Sequence, residues 1–379
     1  MKILFVNENI GGHATVHHHL ANALAQRPDI DAEFFDAPPA GLIGKVLRAP
    51  IPGLAALDAD LQPLRAQLVL SASVRMRLRP RLVGADVMHV YTHNAALLSV
   101  GHVRRIPTIV TLDSTNALNA YRLPYREPTR WTPLTVAATK PFERRVYGAA
   151  RRIVANSEWV ATSLRNDYGI GDGKLAVFPF GISSPDFDQP AAPGTANATM
   201  PRLVFVGRQL RRKGGELLRD LHQTHLADRC ELVLVTTEPV APGRNLTVIN
   251  DIGPGDARLW DVLRTAAMFV FPSTIDSAPN AVLEAMAAGL PVIAVDTGAI
   301  GEMVADGQTG ILVPPNDGPA VLAAIEGLLG DPARRATMGA AGRSRQLDRY
   351  DVRASADRLI DLLTSIARPS SAPRLDRSR

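Results

Sequence analysis

Two carboxylates separated by seven residues are the feature of this sequence that most strongly suggests chemistry. Asp276 and Glu284 lie in the stretch TIDSAPNAVLEAMAAGLPVIAV, residues 274–295. Ser277 is a good N-cap residue and Pro279 suits a first helical turn, so a helix is predicted to begin between the two carboxylates. Asp276 would then lie on the loop before the helix, and Glu284 about a turn and a half inside it.

The predicted start of this helix could bind an anion flanked by hydroxyl groups. Free backbone N–H groups at a helix N-terminus attract anions. Carboxylates on either side accept hydrogen bonds from hydroxyls, and a nucleotide sugar has a diphosphate between its sugar and ribose hydroxyls. Ala278 and Asn280 would border the same ligand. The alternative is structural: Asp276 would interact only with the helix dipole, and Glu284 would be a solvated helix residue.

A second cluster is basic and lies in FVGRQLRRKGGELL, residues 205–218. Gly207 and Arg208 follow a predicted strand, and Lys213 comes five residues after Arg208, before a glycine pair. A guanidinium binds oxyanions through two N–H groups, whereas an ammonium acts as a compact charge. Together they could neutralise a diphosphate. The alternative is a basic loop exposed to solvent.

A third cluster joins a glycine pair to a histidine in IGGHATVHHHLANAL, residues 10–24. Gly11 and Gly12 allow the backbone to approach a ligand closely, although the dinucleotide-binding pattern G-x-G-x-x-G is absent. His13 could donate a hydrogen bond to a phosphate or a sugar, or it could be a surface residue at a helix start. The histidines at 17–19 are adjacent, and adjacent helix residues point in different directions, so no metal site is expected there.

Short apolar runs separated by helical patterns predict an α/β fold with parallel sheets. A stretch rich in proline and small residues, 184–201, is predicted to link two domains, 1–183 and 202–349. A helix at about 350–366 is predicted to pack back on the first domain, and residues 368–379 are predicted to be loose. Ligands bind beyond the carboxyl ends of such strands, which favours the interdomain cleft. The predicted strands are 2–6, 86–90, 108–112, 152–156, 202–207, 231–236, 268–272 and 291–295.

Composition and charge limit the functional classes. Apolar residues make up 46% of the 379 residues, enough for two cores, and the net charge of +5 favours anionic partners in general. Only this charge points to nucleic acid, so nucleic-acid binding is not expected. Cys230 is the only cysteine, which excludes an intrachain disulfide. The start MKILFV indicates a strand rather than a signal peptide, and no apolar run approaches the roughly 20 residues of a membrane span, so a cytoplasmic location is predicted.

The carboxylate stretch belongs to a longer pattern that resembles a known family. DSAPNAVLEAMAAGLPVIA, residues 276–294, is similar to the E-x7-E signature of the retaining family 4 glycosyltransferases, which have the GT-B fold. The basic loop at 205–218 is similar to the family's F-x-G-R-x-x-x-x-K-G, and GEMVADGQTGILVPPND at 301–317 to its G-x-L-V-x-P-x-D region. The segment 152–182 and the N-terminal glycine pair extend the resemblance over essentially the whole chain.

The resemblance implies two Rossmann-like domains, with the acceptor on the N-terminal side and a nucleotide sugar on the C-terminal side. It implies transfer of a sugar from a UDP- or GDP-linked donor to an acceptor hydroxyl, with retention at the anomeric carbon and without a metal or another cofactor. Glu284 would hold the ribose and Asp276 the hydroxyls of the donor sugar. Arg208 and Lys213 would neutralise the diphosphate, and Gly11–Gly12 would approach the donor.

Two positions depart from the family pattern, both on the sugar side. Asp276 replaces the leading glutamate, and Asp113 stands where many relatives carry a histidine that contacts the donor sugar. Asp113 could be a replacement ligand, a general base near the acceptor, or an Asx-turn residue. A D-x-D string at 58–60 is not expected to bind a metal. An epimerase or phosphorylase of the same fold, or a non-catalytic nucleotide-sugar binder, remains an alternative.

A further surface combines apolar side chains with arginines, at 40–54 and 65–82. This composition suits peripheral contact with an anionic membrane. It equally suits an ordinary arginine-rich helix face. No motif identifies the acceptor, which could be a small molecule, a lipid or a growing glycan.

Overall fold

The protein consists of two parallel β-sheets with connecting helices, one sheet in each half of the chain. A computed structural model describes residues 1–9, 12–39, 41–57, 59–120, 128–185, 200–253 and 255–367. Within these residues each sheet has six strands. The predicted α/β class and the two-sheet GT-B architecture are confirmed.

The first sheet has the strand order β2-β1-β3-β4-β5-β6. Alternate residues of β1 face two different cores, Ile3 and Phe5 on one side of the sheet and Leu4 and Val6 on the other. Burial on both faces explains why the inner strands are predominantly apolar. The strands are β1 (Lys2–Asn7), β2 (Asp31–Asp36), β3 (Val87–Tyr91), β4 (Thr108–Leu112), β5 (Arg152–Ala155) and β6 (Leu175–Val177).

The second sheet has the order β12-β11-β10-β7-β8-β9. All eight predicted strands occur, with ends within one residue of the prediction. The other four described strands, β2, β6, β9 and β12, were not predicted, and all are partly exposed edge strands. Polar residues interrupt the apolar pattern in β2 and β9. The strands are β7 (Arg202–Val206), β8 (Glu231–Val235), β9 (Leu246–Ile249), β10 (Met268–Phe271), β11 (Val292–Val295) and β12 (Gly310–Val313).

Helices connect the strands in both halves. No described helix combines the length and the apolar composition needed to cross a bilayer. The α-helices are α1 (His13–Leu24), α2 (Leu42–Arg48), α3 (Gln62–Leu78), α4 (Val100–Arg105), α5 (Asn116–Asn119), α6 (Thr132–Ala149), α7 (Glu158–Tyr168), α8 (Leu210–Lys213), α9 (Gly215–Leu221), α10 (Arg258–Arg264), α11 (Asn280–Ala287), α12 (Ile300–Met303), α13 (Gly318–Leu329), α14 (Pro332–Arg349) and α15 (Val352–Ile366). Tighter or wider turns occur at Ala55–Leu57, Arg79–Leu82, His93–Ala96 and His222–Leu226.

The C-terminal end of the chain returns to the first half. The Ile182 N–H donates to the Tyr350 carbonyl oxygen at 3.0 Å, and the Gly181 N–H donates to Ser355 Oγ at 3.1 Å. Only glycine fits at 181, because a Cβ there would lie 2.2 Å from the Tyr350 oxygen. Beyond this crossing, α15 buries Leu359, Ile360 and Leu363 against the first sheet. Most of the predicted linker, 186–199, and the predicted loose tail, 368–379, lie outside the described residues.

Candidate active site in the interdomain cleft

A cleft of about 980 Å³ runs between the two halves of the chain. Its walls are formed by residues that follow β1, β3 and β4 on one side and β7 and β10 on the other. In each sheet the chain order reverses at this point, between β1 and β3 and between β7 and β10. Open α/β sheets bind their ligands at such points, beyond the carboxyl ends of the strands.

Every predicted site residue in the described part of the chain lines this cleft. Gly11 lies outside the described residues. The first half contributes Gly12, His13 and Asp113, and the second half contributes Gly207, Arg208, Lys213, Asp276, Ser277, Ala278, Pro279, Asn280 and Glu284. Residues that are far apart in the sequence therefore line the same cleft.

Helix α11 begins later than predicted, which corrects the assignment of Ser277 as its N-cap. Pro279 is the N-cap residue, with φ −73° and ψ 117°, and Asn280 is the first helical residue. The residue before a proline is disfavoured in a helix, so the chain stays extended until Pro279. Among the residues that the structure describes, no side chain caps α11. Its first backbone N–H groups are thus available to an anionic ligand in the cleft.

Asp276 is held by two cations from the basic loop. Its Oδ2 atom lies 3.5 Å from Lys213 Nζ and 3.4 Å from Arg212 Nη1. Arg212 also donates to the backbone oxygen of Ile275 at 2.9 Å. Arg212 was not predicted as a site residue, although it lies in the same basic run. The Lys213 ammonium lies 5.3 Å from the ring centroid of Phe271. The aromatic ring attracts the ammonium and stabilises it on this wall of the cleft.

Arg208 and Gly207 complete the basic wall. Arg208 is exposed at the cleft and has no hydrogen bond or ion pair with any residue that the structure describes. Its guanidinium can therefore bind an anionic ligand without giving up a protein contact. Gly207 makes room for the neighbouring cation, because a Cβ there would lie 2.7 Å from Lys213 Cδ.

Glu284 is a partly buried carboxylate that faces the cleft. Burial raises the pKa of Glu284 to about 7, although the charge of Lys213 opposes the shift. The proton is bound more tightly in the folded chain, so this group lowers the free energy of unfolding as the pH rises from 4.5 through about 7. A ligand that donates hydroxyl hydrogen bonds to the carboxylate favours its ionised form.

Nucleotide affinity is therefore expected to rise as the pH increases through 7. Ionised Glu284 would accept hydrogen bonds from ribose hydroxyls, and about tenfold more of it is ionised at pH 8 than at pH 6. Titration calorimetry with UDP and GDP across this range measures the effect. Glu284→Gln is the control, because it retains titration of the nucleotide phosphate but lacks the carboxylate. Identical pH slopes for the two proteins would contradict the assignment.

The opposite wall contains a histidine between two carboxylates. His13 Nε2 lies 2.8 Å from Asp113 Oδ2, and His13 Nδ1 lies 2.7 Å from Glu8 Oε1. His13 is thus not an exposed residue at a helix start, and Asp113 binds a side chain of the cleft. Glu8 was not predicted as a site residue, although it directly follows β1 in the run NEN.

In the triad formed by Glu8, His13 and Asp113, the histidine and each of the two carboxylates stabilise each other's charged forms. Burial alone would lower the pKa of His13, but contacts with Asp113 and Glu8 hold that pKa well above its usual value. Burial would likewise raise the pKa of both carboxyls, but His13 keeps the pKa of Glu8 and of Asp113 below the usual values. The triad therefore carries two negative charges and one positive charge near neutral pH.

Several buried polar atoms in the wall formed by the first half have no hydrogen-bond partner among the described residues. All belong to residues that line the cleft. They are Glu8 Oε2, Thr92 Oγ1, His93 Nδ1, Asn94 Oδ1 and Asn156 Oδ1. Buried polar groups are normally paired, so these atoms suit a polar ligand or water.

The other histidines have separate structural contacts. His17 Nδ1 lies 2.8 Å from Asp36, and His19 Nδ1 lies 3.0 Å from Ser183 Oγ. The three consecutive histidines point in different directions, as helix geometry requires. His89 is buried, with Nε2 2.8 Å from Thr111 Oγ1, so it is a hydrogen-bonded residue of the core.

The two halves also meet directly beside the cleft. The Glu302 carboxylate, just after the start of α12, accepts hydrogen bonds from the backbone N–H groups of Glu158 and Trp159 at 2.9 and 2.8 Å. Those N–H groups begin α7, so the contact joins a negative charge to a helix N-terminus. On another side, a Cβ at Gly12 would lie 3.7 Å from Asn280 Nδ2. The glycine loop therefore approaches the start of α11.

Two family models match successive parts of the chain. The model described as Glycosyltransferase Family 4 matches residues 10–184, and the model described as Glycosyl transferases group 1 matches residues 200–331. The chain belongs to the family 4 glycosyltransferases. The proposed roles of the cleft residues can therefore be considered within this family.

One relative of this family 4 glycosyltransferase is a D-inositol 3-phosphate glycosyltransferase of Nocardiopsis dassonvillei, which is 28% identical over 254 residues. That alignment covers 59% of the chain and 57% of the relative, so the chain spans little more than half the length of that protein. Among solved structures, sucrose-phosphate synthase from Thermosynechococcus elongatus matches with a TM-score of 0.73 and 20% identity, covering 97% of this chain and 99% of that one.

A second solved structure contains a nucleotide sugar. Anabaena HepE in complex with UDP-glucose matches this family 4 glycosyltransferase with a TM-score of 0.65 and 17% identity, covering 96% of this chain and 100% of that one. At these identities the structural likenesses show the GT-B fold. In this glycosyltransferase Asp113 follows β4, at the position where the family pattern predicts histidine. His13 contacts Asp113.

Proposed function

We propose that this protein transfers a sugar from a nucleoside diphosphate sugar to an acceptor hydroxyl, with retention at the anomeric carbon and without a metal. One observation carries the proposal. Lys213, Glu284 and the uncapped start of α11 border a single cleft, with Asp276 beside Lys213. Cations, free N–H groups and carboxylates are thus available to one ligand that carries both phosphates and hydroxyls.

The donor would bind mainly to the second half of the chain. Glu284 would accept hydrogen bonds from the ribose, and the N–H groups of α11 would donate to the diphosphate. Arg208 and Lys213 would neutralise its charge. Asp276, shorter than glutamate by one methylene, would accept hydrogen bonds from the sugar. The UDP-glucose bound by HepE supports a uridine nucleotide as the first donor to test.

Transfer requires that negative charge on the departing diphosphate be stabilised. The anomeric C–O bond to phosphate breaks, the acceptor oxygen bonds to the same face of the sugar, and the acceptor proton passes to the departing phosphate. Fixed cations and oriented N–H groups supply the electrostatic stabilisation, so a metal is not needed for charge balance. Ion pairs with Lys213 and Arg212 reduce the nucleophilicity of Asp276, which favours a route without a covalent intermediate.

The acceptor would bind against the wall formed by the first half. Most of the unpartnered buried atoms there are oxygens that accept hydrogen bonds, including those of Glu8, Asn94 and Asn156. An acceptor with several hydroxyl groups fits this wall, because each hydroxyl can donate to one of these oxygens. We propose a polyhydroxylated acceptor, such as a sugar or a cyclitol.

The test is to measure thermal unfolding with UDP, GDP, ADP and inorganic pyrophosphate, and then turnover with sugars of the best nucleotide. At a hundred times its dissociation constant, a ligand adds about 2.7 kcal/mol of stability. One nucleoside diphosphate should stabilise the protein more than pyrophosphate does, because only the nucleotide offers ribose hydroxyls to Glu284. No stabilisation by any nucleoside diphosphate would overturn the donor site. Binding without turnover would favour a non-catalytic nucleotide-sugar binder.

A further inference from the structure

The two walls of the cleft differ in the sign of their charge. Among the described residues, every lysine and arginine that lines the cleft belongs to the second half. The described first half instead contributes three carboxylates, those of Glu8, Asp113 and Glu158. Glu158 is exposed, and its Oε2 atom lies 3.1 Å from Arg165 Nη1, which balances its charge. The unbalanced negative charge of this wall therefore lies with Glu8 and Asp113.

The histidines of this wall do not cancel that charge. His13 lies between the two carboxylates, so the triad carries one net negative charge near neutral pH. A second histidine of the wall, His93, has its Nε2 atom 3.1 Å from Glu143 Oε1. Burial would raise the pKa of Glu143, but contact with His93 holds that pKa below its usual value. This pair therefore adds no net positive charge, and a cationic ligand would balance the triad.

One oxygen of Glu8 has no partner among the described residues. Glu8 is 4% exposed, and its Oε1 atom lies 2.7 Å from His13 Nδ1. Its Oε2 atom is buried without a hydrogen bond, although the carboxyl group is ionised near neutral pH. Buried charged groups are normally paired and hydrogen-bonded, so a donor that enters the cleft would satisfy this oxygen.

Four side chains with oxygen atoms form a row along the edge of the first sheet, each directly after one of the neighbouring strands β1, β3, β4 and β5. They are Glu8, Thr92, Asp113 and Asn156. Neighbouring strands lie about 4.8 Å apart, so the row alternates ionised and neutral groups over about 14 Å. Thr92 and Asn156 are 2% and 8% exposed, and Thr92 Oγ1 and Asn156 Oδ1 have no hydrogen-bond partner within the described chain. The Asp113 side chain is 22% exposed and lines the cleft, so a ligand can reach it.

A row of unpartnered oxygens with net negative charge selects a ligand group that donates hydrogen bonds and carries positive charge. A hydroxyl donates one hydrogen bond, whereas an ammonium donates three and also neutralises charge. We propose that the acceptor carries an ammonium group, as an amino sugar or an aminocyclitol does, and that Glu8 and Asp113 bind it. The proposal rests on the proposed sugar transfer, because it names the class of the acceptor.

Matched ligands that differ in one amine test the proposal. The protein, saturated with the nucleoside diphosphate that stabilises it most, is titrated with glucosamine, kanosamine and scyllo-inosamine. The hydroxyl parents, glucose and scyllo-inositol, and the neutral amide N-acetylglucosamine are titrated in parallel. The shift of the thermal midpoint measures each affinity. At least one ammonium compound should bind about tenfold or more tightly than its parent, because charge-assisted hydrogen bonds are stronger than neutral ones.

Glu8→Gln should reduce this preference to about threefold or less, because glutamine keeps the size of glutamate without its charge. Asp31→Asn is the matched control and should keep the full preference. Asp31 is an exposed carboxylate at the start of β2, at the end of the sheet opposite to the cleft. Equal thermal midpoints without ligand would verify that both variants fold. The wild-type comparison remains decisive if Glu8→Gln does not fold.

Equal binding by every ammonium compound and its parent, or no binding by any of them, would overturn the proposal. Equal stabilisation by potassium chloride would also overturn it, because any small cation would then suffice. An unchanged preference in folded Glu8→Gln would contradict the role of Glu8. A preference for UDP-glucosamine over UDP-glucose that the free compounds lack would overturn the assignment of the ammonium to the acceptor.

Failure of the donor site is detected separately, because stabilisation by nucleoside diphosphates is measured before any acceptor is added. If no nucleoside diphosphate binds, the same titrations are made on the free protein. A preference for ammonium compounds there would support the ammonium site even though the proposed donor site had failed.

Discussion

Replacing Lys213 by alanine is expected to slow sugar transfer by on the order of a hundredfold, because the fixed cation stabilises charge that develops on the departing diphosphate. Lys213 Nζ lies in the cleft wall, 3.5 Å from Asp276 Oδ2 and over the ring of Phe271. Its effect should be larger in the transition state than in the bound donor. The measurement is kcat with saturating donor and acceptor, which separates the chemical step from donor affinity.

The matched control is Arg211→Ala. Arg211 is an exposed cation two residues away that does not line the cleft, so its loss should leave kcat unchanged. Displacement of Asp276 would not explain a loss in Lys213→Ala, since Arg212 still binds that carboxylate and the neighbouring backbone. A rate for Lys213→Ala equal to that of Arg211→Ala would remove Lys213 from the leaving-group role.

Replacing Gly298 by alanine is expected to destabilise the second half of the chain by about 3 kcal/mol or more and to abolish most transfer. The φ angle of Gly298 is +60°, and a Cβ there would lie 1.9 Å from the backbone oxygen of Asp276. Both atoms belong to rigid backbone, so the loop that carries Asp276 must move. The next residue, Ala299, donates to the Ser277 carbonyl at 2.9 Å, which ties the same loop to α12. Thermal unfolding and kcat report the two effects.

Gly307→Ala separates the cost of a left-handed backbone from the cost of the contact between the new Cβ and the Asp276 backbone. Gly307 has a φ of +71°, yet a Cβ there would meet no atom within 4 Å. Its substitution should therefore cost only the left-handed backbone penalty, about 1 kcal/mol, with normal transfer. If Gly298→Ala were no more destabilising than Gly307→Ala, close contact with the Asp276 backbone would not contribute to the loss of stability. Normal transfer by a folded Gly298→Ala variant would show that the position of this loop does not matter.

The inner strands and the loops that line the cleft were predictable from local patterns. β4, for example, is the run TIVTL, which is buried on both faces and whose Ile109, Val110 and Leu112 belong to the apolar core. The edge strands β2 and β9 were not predictable in this way, because partial exposure allows polar residues at alternate positions. The N-cap of α11 was wrong by two residues, because the restriction that Pro279 places on the preceding residue outweighed the capping preference of Ser277.

Two residues of the site could not be identified from the sequence. Glu8 and Arg212 are ordinary charged residues in the sequence, and only their contacts with His13 and Asp276 mark them as part of the site. Sequence patterns allowed His13 to be either exposed or in the site, and they allowed several roles for Asp113. The structure places the two side chains 2.8 Å apart, although 100 residues separate them.

The sequence by itself determined the fold class, the inner strands and the residue types available for donor binding, because these depend on periodicity and on short motifs around one turn or one helix start. Only the tertiary structure decided which charges meet. The triad of Glu8, His13 and Asp113, the pairing of Asp276 with two cations, and the row of oxygens along four neighbouring strands all depend on contacts between segments distant in the sequence. Electrostatic energies depend on distance and burial in three dimensions, and no local pattern specifies either quantity.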